Sequence, residues 1–151
     1  MKSGCEIPLY KADDSEIQKI LTSVKTIAIV GMSRKQERDS YRVGEYLKQQ
    51  GYKIIPVNPG FNEILGEKCY PGLDSIPERV DLVDIFRKPE AVPEIVDLAI
   101  KIGAKVVWMQ IGVVNNLAAE RARAAGLLVV MNRCIMVEHK RFFSKLTNHQ
   151  E

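Results

Sequence analysis

Five short apolar runs recur along the chain, and most are rich in valine and isoleucine. None alternates apolar with polar positions, and such continuous runs are typical of strands buried on both faces of a sheet. Pro59 follows the second run, where it would end a strand because proline cannot continue a central ladder. We predict strands over residues 26–30, 53–57, 81–86, 105–109 and 127–131.

Segments with helical spacing lie before, between and after these runs, with apolar residues three and four positions apart. The first helix is predicted to be capped by Asp13 and Glu16, and the fourth by Asn116. The second begins near Ser40 and the fifth after Cys134, and the middle three end at Gly51, Gly103 and Gly126. This alternation predicts an α/β fold, a doubly wound Rossmann-like parallel sheet of about five strands with helices on both faces.

The pattern suggests an N-terminal helical extension (1–25), one domain (26–146) and a C-terminal tail (147–151). The 151 residues are 46% hydrophobic and 27% charged, a composition that excludes a disordered or fibrous chain. No run approaches the roughly 18 apolar residues of a membrane span, and the N-terminus lacks the apolar stretch of a signal peptide. We therefore expect a cytoplasmic protein that does not bind a membrane.

The net charge and the small number of metal-ligating residues reduce the range of possible functions. The net charge of +3 is too small and too dispersed to indicate nucleic-acid binding, although it suits a small anionic ligand. The three cysteines have no C-x-x-C spacing and are expected to be free thiols in a reducing compartment. Two histidines leave little material for a zinc site, so we expect no metal.

The turn after the first strand is a candidate nucleotide site, because ligands of open α/β sheets bind beyond the carboxyl ends of the strands. It begins with Gly31, but Ser33 and Gln36 stand where a dinucleotide fingerprint has its other glycines. Asn58 follows the second strand, where an NAD site has an acidic residue for the ribose. The Walker A pattern is absent. The architecture is that of a nucleotide-binding protein without the signatures of NAD or P-loop binding.

A basic loop follows this turn and contains Arg34, Lys35, Arg38 and Arg42. The N-terminus of the next helix already favours anions, so the added cations suit a ligand richer in phosphate than NAD. The alternative interpretation is a solvated basic surface.

Together these elements resemble the stand-alone CoA-binding proteins, which are related to the CoA-binding domain of succinyl-CoA synthetase and acyl-CoA ligases. The similarity extends from Ile27 to His139 and rests on the order and spacing of motifs that are weak singly. These are IAIVGMS (27–33), RDSY (38–41), GY (51–52), IPVNP (55–59), Gly66, CYP (69–71), VDIFR (83–87), WMQIG (108–112), RC (133–134) and EH (138–139). The resemblance implies coenzyme A as the ligand.

The resemblance also implies where the coenzyme lies. The turn after the first strand and its basic loop would contact the phosphates, and the end of the second strand would border the adenosine. The end of the third strand would flank the nucleotide, and the loop after the fourth would line the crevice where the pantetheine arm leaves. The implied residues are Gly31, Ser33, Arg34, Arg38, Asn58, Pro59, Phe86, Arg87, Pro89, Gln110, Gly112 and Val113. Met32, Tyr41 and Cys134 complete the predicted binding site, although Met32 and Arg34-Lys35 depart from the commonest pattern of the family.

Several of these residues have a purely structural interpretation as well. An Asn-Pro pair such as Asn58-Pro59 is typical of a turn that ends a strand. Tyr41 and Phe86, like Trp108, belong to residue types found more often in a core than stacked on a ligand. Gly112 would supply a positive φ with or without a ligand. Gln110 is less easily explained, because a polar side chain just past a buried strand needs a partner.

No catalytic constellation is predicted. Cys134 precedes a helix whose N-terminus would stabilise a thiolate, but His139, five residues on, would not lie squarely over it. We therefore expect non-enzymatic binding of coenzyme A or a short acyl-CoA, with no protein partner identified. The alternatives are a small NAD(P)-binding oxidoreductase-type protein and a partner subunit of an acyl-CoA ligase.

Overall fold

The computed structural model describes residues 6–149, with side chains through Phe143. Cys5 lies outside the described residues, so the expectation of a free thiol there has no structural counterpart. Cys69 and Cys134 are both free. None of the described helices is long and apolar enough to cross a bilayer.

A five-stranded parallel sheet forms the centre of the fold and confirms the predicted architecture. Its strands lie in the order β2-β1-β5-β6-β7, and a separate two-stranded antiparallel hairpin pairs β3 with β4. The bounds are β1 Thr26–Val30, β2 Lys53–Val57, β3 Glu63–Ile64, β4 Glu67–Lys68, β5 Leu82–Ile85, β6 Val106–Met109 and β7 Leu128–Val130.

Five α-helices cover the sheet: α1 Asp14–Ser23, α2 Asp39–Gln49, α3 Val92–Lys101, α4 Asn116–Ala124 and α5 Ile135–His149. The Asp13 side chain accepts from the Glu16 N–H and caps α1 as predicted. Glu16 contributes to this cap through its backbone N–H, and its carboxylate accepts from the Tyr10 hydroxyl at 2.8 Å. Helix α5 reaches His149, within the segment proposed as a C-terminal tail.

The cap of α4 is Asn115, and the prediction of Asn116 is wrong by one residue. The Asn115 side chain accepts from the Ala118 N–H at 3.0 Å, two residues inside the helix start. Asn116 instead binds the N-terminal segment: its side chain donates to Ile7 O and accepts from Leu9 N, both at 2.9 Å.

The two faces of the sheet bury different sets of residues. On the first, which we call the apolar face, alternate strand residues pack against α3 and α4. On the second, the mixed face, the other strand residues pack against α1, α2 and α5. Helix α1 buries Ile17, Ile20 and Leu21 in this second cluster, so it belongs to the same core as the rest of the domain.

Candidate functional site

The strand order reverses between β1 and β5, which are neighbours at the centre of the sheet. The chain proceeds from β1 outward to β2 on one side, and from β5 to β6 and β7 on the other. A crevice forms beyond the carboxyl ends of two such strands, because their connections leave in opposite directions.

Three adjoining cavities fill this crevice. The α5 cavity, of about 720 Å³, is bordered by α2, the β5 and β6 loops and the start of α5. The α3 cavity, of about 590 Å³, lies between the ends of β1 and β2 and the helix α3. The loop cavity, of about 440 Å³, lies under the basic loop. They adjoin one another, because Phe86, Arg87, Gly31 and Asn58 each line two of them.

Most of the residues predicted to bind coenzyme A line this crevice. The residues along it are Gly31, Ser33, Arg38, Asn58, Pro59, Phe86, Arg87, Pro89, Gln110, Gly112, Val113 and Cys134. The structure therefore brings them together at one edge of the sheet, and their contact with a coenzyme stays a prediction.

Met32 and Tyr41 do not fit the predicted site. The Met32 side chain is fully buried in the core of the mixed face, where it occupies the space that Gly44 leaves open. Tyr41 packs on the same core cluster. At Met32 only the backbone could contact a ligand, and the Met32 side chain has a packing role that the sequence pattern did not reveal.

The fold itself requires a glycine at position 31. Its φ is +86°, and a Cβ there would lie 2.3 Å from the carbonyl oxygen of Phe86. The requirement for glycine therefore comes from the neighbouring strand end and does not depend on a pyrophosphate. A Gly31→Val variant would damage the fold and would not report on ligand binding.

Asn58 fixes the shape of the turn opposite Gly31. Its side-chain amide donates to the Met32 carbonyl at 3.0 Å and accepts from the Gly60 N–H at 2.9 Å. The end of β2 is thereby bonded to the turn after β1. The Asn58-Pro59 pair therefore forms a structural turn, and it also lines two of the three cavities.

The basic loop begins in a turn that is set by two serines. The Ser33 N–H donates to Ser40 Oγ at 2.8 Å, and Ser33 Oγ accepts from the Lys35 N–H at 3.0 Å. Lys35 and Arg38 line the loop cavity, to which the first turn of α2 also contributes.

Arg34, which belongs to the basic loop, and Arg87, at the end of β5, are the other predicted cations of the site. The Arg34 guanidinium stacks over the Phe61 ring, 4.8 Å from its centre, at the edge of the loop cavity. Arg87 lines both larger cavities from the end of β5. Cations therefore lie at both ends of the crevice, Lys35 and Arg38 in the loop cavity and Arg87 and Lys88 in the α5 cavity.

Gln110 finds its partner within the protein. The side chain is 5% exposed, and its Oε1 accepts from the Ile135 N–H at 3.2 Å. It thereby joins the end of β6 to the first turn of α5. In the next loop, Gly112 has a φ of +85° with open space beside it, and its N–H donates to Asn132 Oδ1 at 2.8 Å. The predicted positive φ at Gly112 is confirmed.

Cys134 lines the α5 cavity next to the start of α5, but His139 is engaged elsewhere. His139 Nδ1 lies 2.7 Å from the Tyr46 hydroxyl, and its ring packs on Phe143. Burial lowers the pKa of His139, which favours the neutral ring. This histidine connects α2 with α5 and makes no hydrogen bond to Cys134 in the described part of the chain.

Asp84 is a notable residue that the sequence argument did not single out. It is fully buried in β5, level with Ile29 and Trp108 on the mixed face. Neither carboxyl oxygen has a hydrogen-bond partner within the described part of the chain. Burial raises the pKa of this carboxyl well above its ordinary value, which favours the neutral form. The signal in the sequence is an acidic residue inside an otherwise apolar strand.

Comparison with known proteins identifies relatives of similar size. The chain is 38% identical over 125 residues to the uncharacterized protein YneT of Bacillus subtilis, which covers 83% of this chain and 93% of that protein. A hypothetical protein from Pyrococcus horikoshii has a solved structure with 47% identity and a TM-score of 0.85. That match covers 93% of this chain and 98% of the other.

A larger relative is an ADP-forming acetate–CoA ligase of Archaeoglobus fulgidus, with 40% identity over 73 residues. The match covers 47% of this chain but 11% of the ligase, so this chain corresponds to a small part of that enzyme. A family model for the CoA binding domain matches residues 25–140, a range that includes the whole five-stranded sheet and its crevice. The chain therefore belongs to the CoA binding domain family.

Proposed function

We propose that this protein binds coenzyme A, or a short acyl-CoA, in the crevice without catalysing a reaction on it. The row of three adjoining cavities along one edge of the sheet carries this proposal, since a long ligand with phosphates at one end needs an extended site. Lys35 and Arg38 supply cations at the β1 end, where the N-terminus of α2 also favours anions. The α5 cavity at the other end adds apolar wall from Val113 and Met136, which suits a pantetheine arm.

The absence of catalysis is proposed from the side chains around the α5 cavity. Cys134 is the nucleophile there, and the nearest histidine along the chain is bonded to Tyr46. Glu138, on the same helix turn, is paired with Arg133 and Arg141. A nucleophile of this kind needs a base within hydrogen-bond reach. His139 and Glu138 already have partners, and Asp39, which also lines this cavity, makes no hydrogen bond to Cys134 in the described part of the chain.

Calorimetry with coenzyme A, dephospho-CoA and NAD tests the identity of the ligand. Coenzyme A should bind more tightly than NAD, because Asn58 offers an amide where NAD needs an acid, and the cations favour extra phosphate. Tighter binding of NAD would favour the oxidoreductase-type alternative and contradict the proposal. Mass spectrometry of the native protein adds an independent test through any nucleotide that co-purifies.

Single alanine variants locate the 3′-phosphate, which dephospho-CoA lacks. We expect at least one of Lys35→Ala, Arg38→Ala, Arg87→Ala and Arg34→Ala to weaken coenzyme A binding while leaving dephospho-CoA nearly unchanged. A charge-assisted contact is worth about 1.5–3 kcal/mol, or about tenfold or more in affinity, and less where solvent screens it. Lys101→Ala, at the far end of α3, is the control of equal charge change. If none of the four variants differs from this control, the basic loop is a solvated surface.

The second candidate is a partner subunit of an acyl-CoA ligase, which the match to part of the Archaeoglobus fulgidus enzyme favours. Neither candidate requires the isolated chain to catalyse a reaction. Incubation with acetate, ATP and coenzyme A should yield no ADP and no acetyl-CoA from the chain alone. Formation of either product would contradict the non-enzymatic proposal.

A further inference from the structure

A second apolar cavity adjoins the coenzyme crevice and has no role in the function proposed above. It has a volume of about 550 Å³, and we call it the N-terminal cavity because the N-terminal segment forms one side of it. Its apolar lining consists of Ile7, Pro8, Ile111, Met131, Cys134 and Val137. Three of these residues, Ile111, Cys134 and Val137, also line the α5 cavity, so the two spaces meet at Cys134.

The residues around this junction expose an unusual amount of apolar surface. Ile7 is 74% exposed, Ile111 68% and Val137 51%. Single exposed apolar side chains are ordinary, but a group of them around a concave space is typical of a ligand site. Packing of the core does not account for these three, since none belongs to either buried cluster.

The wall that the N-terminal segment provides is fixed by hydrogen bonds to α4. Glu6 Oε1 accepts from the Asn116 N–H at 2.9 Å, and the Asn116 side chain bonds to the backbone of Ile7 and Leu9. These bonds span more than one hundred positions of sequence. The cavity is therefore enclosed by a defined segment and belongs to the folded domain.

The charged groups around the cavity favour an uncharged occupant. Glu138 is paired with Arg141 at 2.8 Å and with Arg133 at 3.5 Å, and Glu6 is bonded to Asn116. Lys11 is exposed at the outer edge. Asn132 and Arg133 also line the cavity, and the rest of its wall is apolar. This wall adjoins the end of the crevice where the pantetheine arm would lie.

We infer that the N-terminal cavity accepts the acyl chain of an acyl-CoA, and that the ligand is an apolar acyl thioester. This inference rests on the proposed function, because the coenzyme must first occupy the crevice with its thiol end towards Cys134. The acyl chain then passes Ile111 and Val137 and packs against Ile7, Pro8 and Met131.

Calorimetry with coenzyme A and its acetyl, butyryl and hexanoyl thioesters tests the inference. Affinity should rise two- to fourfold, roughly, for each methylene that enters the cavity, until the cavity is filled. If the wild-type protein binds coenzyme A but shows no dependence on chain length, the inference is wrong. If coenzyme A itself does not bind, the proposed function fails as well.

Two matched variants of the N-terminal segment sharpen this test. Ile7→Asp places a carboxylate in the wall of the cavity, and Leu9→Asp places one two residues away, where the side chain is 84% exposed and lies outside this cavity. Ile7→Asp should abolish the gain from acetyl to hexanoyl while changing coenzyme A binding less than twofold, and Leu9→Asp should preserve the gain. Equal loss in both variants would overturn the inference, because the effect would then come from the segment and not from the cavity wall.

Discussion

The two faces of the sheet share five strands but bury residues of different character. On the apolar face, valine, isoleucine, alanine and methionine fill the space beneath α3 and α4. On the mixed face lie the buried polar or charged residues of the described chain, namely Ser40, Asp84, Gln110, Glu138 and His139. Most of these form specific bonds that involve α2 or α5, the two helices that border the crevice. The first face supplies stability, and the second also sets the position of the helices around the site.

The largest effect is expected from placing a carboxyl on the apolar face. Val83 is fully buried and adjacent to Asp84, but its side chain points to the opposite side. Val83→Asp should lower the free energy of unfolding by at least about 3 kcal/mol, because nothing there can solvate the group. Urea unfolding measures the loss, and Val83→Thr controls for shape. A loss below about 1 kcal/mol would show that the faces do not differ as described.

Removing the buried carboxyl of the mixed face should change how stability depends on pH. The raised pKa of Asp84 keeps it protonated in the folded chain, whereas in the unfolded chain it ionises near its ordinary value of 3.8. The folded state then holds one more proton, so stability falls as pH rises above about 4, by about 1.4 kcal/mol per pH unit, up to the raised pKa. Asp84→Asn should remove this component.

Unfolding curves of the wild-type and Asp84→Asn proteins between pH 4 and 8 test this expectation. The exposed Glu45→Gln variant is the control, and it should follow the wild-type profile. Parallel profiles for wild type and Asp84→Asn would mean that Asp84 is ionised in the folded protein.

A smaller effect is expected at the contact between β6 and α5. Gln110→Leu keeps the side-chain volume but removes the acceptor for the Ile135 N–H. The unsatisfied donor should cost about 1–2 kcal/mol in the free energy of unfolding. Gln49→Leu, at the exposed end of α2, should change stability much less. Equal effects would mean that the bond of Gln110 contributes nothing.

The smallest effect is expected at His139, and it should appear on the acid side. Because burial lowers the pKa of His139, the unfolded chain takes up a proton near pH 6.5 before the folded chain does. Stability is therefore lost as pH falls below 6.5. His139→Phe should remove this loss, which melting temperatures between pH 7.5 and 5.5 would reveal. The prediction is contradicted if, on going from pH 7.5 to 5.5, the melting temperature of the wild type falls no more steeply than that of the variant.

The strands and the site's location could be predicted because they depend on local patterns. Continuous apolar runs predicted the five strands. The position of Gly31 after the first run predicted the edge of the sheet where the crevice lies. The hairpin of β3 and β4 could not be predicted, since two residues per strand are too few to show a period. Its turn contains Leu65 at a φ of +58°, which sequence alone does not indicate.

Side-chain directions were the less predictable part of the site. Met32 points into the core because Gly44, on another element, leaves room for it. Asn58 bonds to the turn after β1, a partner 26 residues away along the chain. Both outcomes depend on tertiary neighbours, so a motif that gives the right region can still misassign the role of a residue within it.

Trp108 is the single tryptophan of the chain, and its position makes it an internal optical probe. It is fully buried on β6, and its indole N–H donates to the Arg133 carbonyl at 2.8 Å, just before α5. Its fluorescence thus reports directly on the contact between the sheet and this helix. Emission should move to longer wavelength when α5 separates from the sheet, and a probe at this position needs no label near the crevice.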